Sequence, residues 1–356
     1  MKSRAELFTG TQEVREQHRF DEKALARFME ERVEGFQGPL EVEQFKGGQS
    51  NPTYRLTGGG TRYVLRRKPP AALLKSAHAV DREYKVLTAL RDTAVPVART
   101  YALCTDESVI GSWFYIMEYV DGRVIWDHLV PGLDTEHRAA IYDQMNEVLA
   151  ALHTLDYEAL GLGDFGRPGN YFARQISRWT KQYRSSEVET IAEMDKLIDW
   201  LPEHIPAGDE TSIVHGDYRI ENMIIHPSEP RILAILDWEL STLGHPLGDL
   251  TYQCAQWRLP HTKLMAGMQG VDRKSLGIPT EEEYVAAYCK RTGRGEIENW
   301  DFYVAYNLFR LAAIIQGVVG RAKEGTASSK DAATMAARVR PMSEMGWAAV
   351  TQASAG

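Results

Sequence analysis

The sequence predicts an α+β chain in two lobes: a small one built on an antiparallel sheet with one main helix, and a larger, mainly helical one. Three observations predict it. Between Glu41 and Tyr119, short strand-like runs alternate with turns containing glycine or proline. From Asp134 onward, apolar residues recur at helical spacing instead. Within that second part, the polar loop His215–Glu221 lies between short apolar runs, and a further apolar run ends at Asp237. The expected division is 1–40 (an arm and a helix), 41–120 (the small lobe) and 121–356 (the large lobe, with the polar loop and its hairpin).

Bulk properties narrow the class. A chain of 356 residues is too long for one small core. Its 41 basic and 49 acidic residues give a net charge of −8, which argues against general nucleic-acid binding. Cys104, Cys254 and Cys289 are far apart and include no CxxC, as expected of buried, reduced thiols in a cytoplasmic protein. Residues Met1–Glu6 lack the apolar segment of a secretion signal. No run is read as the about 18–20 apolar residues of a membrane span. The expectation is a cytoplasmic protein with neither nucleic acid nor membrane as partner.

In chain order, residues 1–20 are mixed and polar and read as a loose arm, and Asp21 caps a helix carrying Leu25, Phe28 and Met29 on one face. Val42 and Phe45 lead into Lys46-Gly47-Gly48-Gln49-Ser50-Asn51-Pro52, then Thr53–Leu56, a Gly58-Gly59-Gly60 turn, and Tyr63–Arg66. This is strand, glycine-rich loop, strand, turn, strand. Such a loop can lay backbone N–H groups over phosphates, because glycine lets the main chain approach closely. It is not GxGxxG, and the chain has no Walker A sequence. A helix follows over Asp81–Leu90, with Tyr84, Leu87 and Leu90 inward; Glu83, beside that face, has Arg66 as its natural partner. Strands over Thr100–Cys104 and Trp113–Tyr119 end at Val120-Asp121-Gly122, a turn and hinge signal.

Asp134 or Thr135 caps the next helix, whose Ile141, Met145, Val148, Leu149 and Leu152 share a face. Another helix runs from Arg174 to Tyr183 with Trp179 buried. Asn222–Ile225 and Ile232–Leu236 then form a hairpin around His226–Pro230. Hairpin geometry sets Asn222 and Asp237 at one open end, and the loop His215–Glu221 delivers Asp217 toward it. Asp217 can take a proton from a hydroxyl, while Asn222 and Asp237 offer oxygens to magnesium. Asp249 either caps the following helix or braces the polar loop. Arg310 stands in an apolar helical stretch with Tyr303, Tyr306, Leu311 and Ile314.

At His215-Gly216-Asp217-x-x-x-x-Asn222 with Asp237-Trp238-Glu239, the sequence resembles the aminoglycoside phosphotransferase and choline kinase-like family of small-molecule kinases. Gly47–Asn51, Tyr63–Arg66, Arg82-Glu83-Tyr84, Phe114–Tyr119 and Pro246–Leu250 follow in the family's order, so the resemblance runs from about Glu41 to Ile315. More narrowly, Gly47–Tyr54, Ser76–Tyr84 and Asp237–Gly244 resemble the branch associated with acyl-CoA dehydrogenases. The resemblance implies a protein-kinase-like bilobal fold. It also implies an ATP-dependent, Mg2+-requiring transfer of the γ-phosphate to a small-molecule hydroxyl, a hydroxyacyl-CoA-like metabolite among the possible acceptors.

Carried over by position, Asp217 is the catalytic base, and Asn222 and Asp237 hold the metal. Arg66 takes the place of the phosphate-binding strand lysine, with Glu83 as its partner. Gly48, Ser50 and Asn51 cover the phosphates, and Glu118, Tyr119 and Val120 face adenine. The acceptor pocket is expected around Trp179, Tyr183, Trp257 and Arg310. Arginine in place of lysine is the main departure, since its forked guanidinium meets phosphates differently. It motivates an alternative, a non-catalytic nucleotide-binding regulator.

Overall fold

The alternating runs of the N-terminal third close into one sheet. The computed structural model describes residues 9–47, 51–69, 79–323 and 332–353. The chain divides into two units: Met1–Val130 with Asp156–Phe165 and Arg219–Ser241, and Pro131–Leu155 with Gly166–Tyr218 and Thr242–Gly356.

In the first unit, β1 (Thr11–Gln12), α1 (Glu22–Arg32), β2 (Glu41–Phe45), β3 (Thr53–Gly58), β4 (Thr61–Arg67), α2 (Val80–Leu90), β5 (Thr100–Cys104) and β6 (Phe114–Glu118) follow one another. The strands form a six-stranded antiparallel sheet in the order β1-β2-β3-β4-β6-β5. Gly59 and Gly60 both have positive φ, +57° and +79°, which two-residue turns twisted to match their strands require. Strand side chains alternate, so Tyr54, Leu56, Tyr63 and Leu65 share one buried face. Asp21 caps α1 by accepting the Ala24 N–H at 2.9 Å, and Leu25 and Met29 pack into the core that includes this face.

Residues 9–20 are not the expected loose arm. Thr11 and Gln12 add a strand against Phe45 and Gln44, and Tyr54 Oη donates to the His18 carbonyl at 2.9 Å. Docking through backbone pairing needs no apolar pattern, so the polar sequence hid it.

The first unit also contains β7 (Arg123–Val124) and the hairpin β9 (Met223–Ile225)–β10 (Ile232–Ile235), in a sheet ordered β10-β9-β7. Gly122 precedes β7 where the chains pass so closely that a Cβ would stand 2.7 Å from the Ile225 carbonyl oxygen.

The second unit pairs β8 (Ser212–Val214) with β11 (Thr242–Gly244) among helices. These include α3 (Thr135–Thr154), α4 (Tyr171–Ser186), α5 (Ala192–Glu203), α6 (Pro246–Arg258), α7 (Glu281–Thr292), α8 (Trp300–Lys323) and α9 (Ala332–Ala353). Asp134 caps α3, and Ile141, Met145, Val148, Leu149 and Leu152 form its buried face. Helix α4 starts three residues before the expected Arg174 and buries Trp179. Residues Pro246–Trp257 of α6 are buried on every side. Contrary to expectation, α8 contains a stretch, Trp300–Ala322, long and apolar enough to cross a membrane; 78% of its most apolar window is buried inside the fold, as in a core helix.

Candidate active site

In the first unit the site is built around Arg66. It sits on β4 with a side chain 11% exposed, between α2 and the turn that follows β10. Its Nε lies 2.8 Å from Glu83 Oε2, so Glu83 turns inward and pairs as the helix register suggested. Tyr115 Oη and Asn51 Nδ2 also donate to the Glu83 carboxylate, at 3.1 and 2.9 Å. Arg66 Nη2 donates to Asp237 Oδ1 at 2.7 Å and to Glu239 Oε2 at 3.2 Å. Burial opposes the Arg66 charge, yet Glu83 and the other acidic neighbours hold the guanidinium more firmly protonated than usual. Burial pushes the Glu83 carboxyl upward from its ordinary range, against the pull of Arg66.

The hairpin fixes the other half of this cluster. Ile235 pairs with Met223, and Leu236 N–H donates to the Asn222 carbonyl at 2.8 Å. Asn222 and Asp237 therefore leave the ladder at one end, as hairpin logic requires. Asp237 adopts φ +66°, a left-handed conformation that aspartate tolerates better than most residues. An amide oxygen and a carboxylate at one hairpin end suit Mg2+, which takes hard oxygen ligands and completes its shell with phosphate and water. Among the described residues no cluster of three or more His, Cys, Asp or Glu side chains could hold a metal ion, and a mixed Asn–Asp pair is a different kind of donor set.

Gly48 and Ser50 lie outside the described residues. Asn51 is fully buried, its side-chain amide engaged by Glu83. Glu118 ends β6 with its backbone N–H bound to the Arg99 carbonyl at 2.8 Å, and the chain continues through half-buried Tyr119 and Val120. Arg62 stands over the Tyr119 ring at 4.3 Å.

Asp217 belongs to the second unit, in the loop after β8. Asp249 does not cap α6; His245 Nδ1 does, accepting the Leu247 N–H at 3.3 Å. The Asp249 carboxylate instead accepts the N–H groups of His215 at 2.5 Å and Gly216 at 2.8 Å. Burial raises the Asp249 carboxyl, but hydrogen bonding and charge from His153, with His215 and Gly216, bring it below its ordinary value. Gly216 has φ +85°, where a side chain would be strained. Arg310 is buried and donates to the Gly216 carbonyl. Tyr252 Oη donates to Asp217 Oδ1 at 2.5 Å.

Sequence reasoning missed Glu239, Tyr115 and Tyr252 as neighbours of these groups. Glu239 stood inside the quoted motif; Tyr252 lies three positions after Asp249, on the same helical face. Trp179, Tyr183, Trp257 and Arg310 are all buried. Trp257 Nε1 donates to the Pro279 carbonyl at 2.7 Å, whereas Trp179 sits 5.9 Å from the Arg310 guanidinium. A cleft of about 690 Å³ in this unit, lined by Tyr142, Asn146, Lys274 and Tyr284 among others, includes none of residues 215–217.

The sequence model of the phosphotransferase enzyme family matches residues 41–301. The chain belongs to this family. Acyl-CoA dehydrogenase family member 11 of Rattus norvegicus is 43% identical over 342 residues, which are 94% of this chain but 44% of that protein. The phosphotransferase-family chain thus spans less than half the length of that relative. A provisionally assigned aminoglycoside phosphotransferase of Ralstonia eutropha JMP134 is 56% identical, with a TM-score of 0.88 over 94% of this chain and 99% of that one. Choline kinase of Cryptosporidium parvum Iowa II shares the fold at 12% identity, with a TM-score of 0.64 over 94% and 97% of the two chains. The α+β, protein-kinase-like architecture expected from the sequence is the one found, in the company of small-molecule phosphotransferases and kinases.

Proposed function

We propose that the chain transfers the γ-phosphate of ATP to a hydroxyl group of a small molecule, with Mg2+ as cofactor. The observation that carries this reading is the Arg66 cluster, in which one buried guanidinium joins the α2 acid Glu83 to Asp237 at the hairpin end. Asn222 and Asp237 would hold Mg2+, which when bound would neutralise charge on the transferring phosphate. Arg66 binds the α- and β-phosphates, kept in place by Glu83. Asp217 accepts a hydrogen bond from the acceptor hydroxyl, orients its oxygen toward phosphorus and takes the proton as the new P–O bond forms and the bond from the γ-phosphorus to the β–γ bridging oxygen breaks, releasing ADP. Little covalent work falls to the protein in this chemistry; positioning and charge stabilisation dominate. The names of relatives support an acceptor linked to acyl-CoA metabolism, a hydroxyacyl-CoA-like metabolite being the first to try.

A second reading, a nucleotide-binding regulator without turnover, draws on the arginine in place of lysine at position 66 and on its contacts with Asp237 and Glu239. One experiment decides between them. Labelled ATP is incubated with Mg2+ and a panel of hydroxylated acyl-CoAs, sugars, amino alcohols and aminoglycosides. Transfer of label to an acceptor supports the enzyme; a melting shift with Mg-ATP and no transfer or hydrolysis supports the regulator; no response to nucleotide sinks both.

A further inference from the structure

We propose that Tyr252 is a positioning residue for the base, fixing the plane of the Asp217 carboxylate through its phenolic O–H. The inference rests on the reading of Asp217 as base and deepens it. One face of α6 presents Asp249 and Tyr252 a single turn apart, and the two grip the same loop differently. Asp249 holds the main chain at His215 and Gly216. Tyr252 holds the side chain, with Oη 2.5 Å from Asp217 Oδ1.

The need for such a contact is physical. The terminal torsion of an aspartate is broad and roughly two-fold, so backbone anchoring alone does not set the direction of the carboxylate. A hydroxyl donor to an ionised oxygen makes a short, strong bond and selects one orientation. The Tyr252 ring can impose that orientation because it is itself held. It is 6% exposed, and the Arg310 guanidinium stands 5.0 Å from its ring centroid. Arg310 also donates to the Gly216 carbonyl, so one arginine links the ring to the residue just before the base. Ring, loop and carboxylate are thus linked by direct contacts across α6, α8 and the loop after β8. Reacting groups misplaced by about 1 Å cost about 10²-fold in rate, which sets the scale expected for this restraint.

The test is a double-mutant cycle on the full chain, with release of labelled phosphate from Mg-ATP to water as the readout, so no acceptor need be known. Tyr252→Phe removes only the hydroxyl. It is expected to lower kcat by about 10-fold or more while the KM for Mg-ATP stays within about two-fold, because the base and not the nucleotide is disturbed. In an Asp217→Ala background the same substitution is expected to have no further effect on the residual rate. Unfolding of the four ligand-free proteins reads the coupling without any substrate: the loss in Tm from Tyr252→Phe should largely vanish once Asp217 is alanine. Wild-type kcat in Tyr252→Phe, or an equal loss in both backgrounds, overturns the inference. A wild-type protein that neither hydrolyses Mg-ATP nor passes its label to any acceptor of the panel overturns the phosphotransfer reading instead, whatever the unfolding cycle shows.

Discussion

Arg66 and Asp237 lie 171 residues apart in sequence, and their side chains meet at 2.7 Å. The same guanidinium reaches Glu83 on α2, so a sheet strand, a helix and a hairpin end are tied through one cation. Buried ion pairs of this kind add little net stability when intact, yet their loss is costly because a charge remains buried without its partner.

Arg66→Met is therefore expected to destabilise the fold by about 3–5 kcal/mol, since Glu83 is only 2% exposed and would be left without its counter-ion, either charged and buried or forced to take up a proton. Urea denaturation measures it. Pairing the change with Glu83→Gln should recover a large part of the loss; a double variant no more stable than Arg66→Met would show that the pair is not the cause.

The polar loop and the hairpin end should separate chemistry from binding. Asp217→Asn is expected to cut turnover by about 10²–10⁴-fold, the range general bases contribute, with Mg-ATP affinity retained. Asp237→Ala should instead raise the Mg2+ concentration needed for half-maximal nucleotide binding. Calorimetric titration of Mg-ATP distinguishes the two, and a common phenotype for both variants would contradict the assigned roles.

His245 gives a pH dependence of stability. Burial pushes its imidazole down to about 4, and its Nδ1 must stay unprotonated to accept the Leu247 N–H at the start of α6. Between pH 6.5 and 4 the unfolded chain takes up a proton that the folded chain refuses, so stability falls as pH falls through this window. The size is on the order of 3 kcal/mol at 1.36 kcal/mol per pH unit. His245→Asn keeps a helix-capping side chain but cannot titrate. Its unfolding free energy should be flatter over that range than the wild type's.

Gly122→Ala tests close packing at the hairpin. The added Cβ would stand 2.4 Å from Ile224 Cγ2 and 2.7 Å from the Ile225 carbonyl oxygen, and the backbone oxygen cannot swing aside. Overpacking of this kind costs about 1–3 kcal/mol. A melting temperature equal to wild type would show that β7 and β9 can separate without loss.

Much of this was legible because it is local. Asp21 caps its helix as placed, Asp134 is the cap of the two candidates at the next helix, and the glycine turn joins β3 and β4 as an antiparallel pair. The open end of the hairpin carries Asn222 and Asp237 because an antiparallel pair has no other way to end. Gly122, read as part of a turn and hinge signal, is also a close approach to β9, which sequence pattern alone does not reveal. Residues 9–20 docked through their backbone, and α8 satisfied a membrane criterion while serving as core, because composition does not say what surrounds a helix.

What the sequence by itself determined is the set of elements, the order of the motif residues and the family chemistry they resemble. Period, caps and turns depend on neighbours within a few positions, and those are written in order along the chain. Only the tertiary structure decided which polar groups meet: Asp249 on the loop backbone rather than on its own helix, Asn51 on Glu83, Tyr252 on Asp217, Arg66 on Asp237. Such partnerships depend on how whole elements pack. A side chain finds its partner across a gap set by many other contacts, and spacing along the chain carries no direct record of that gap.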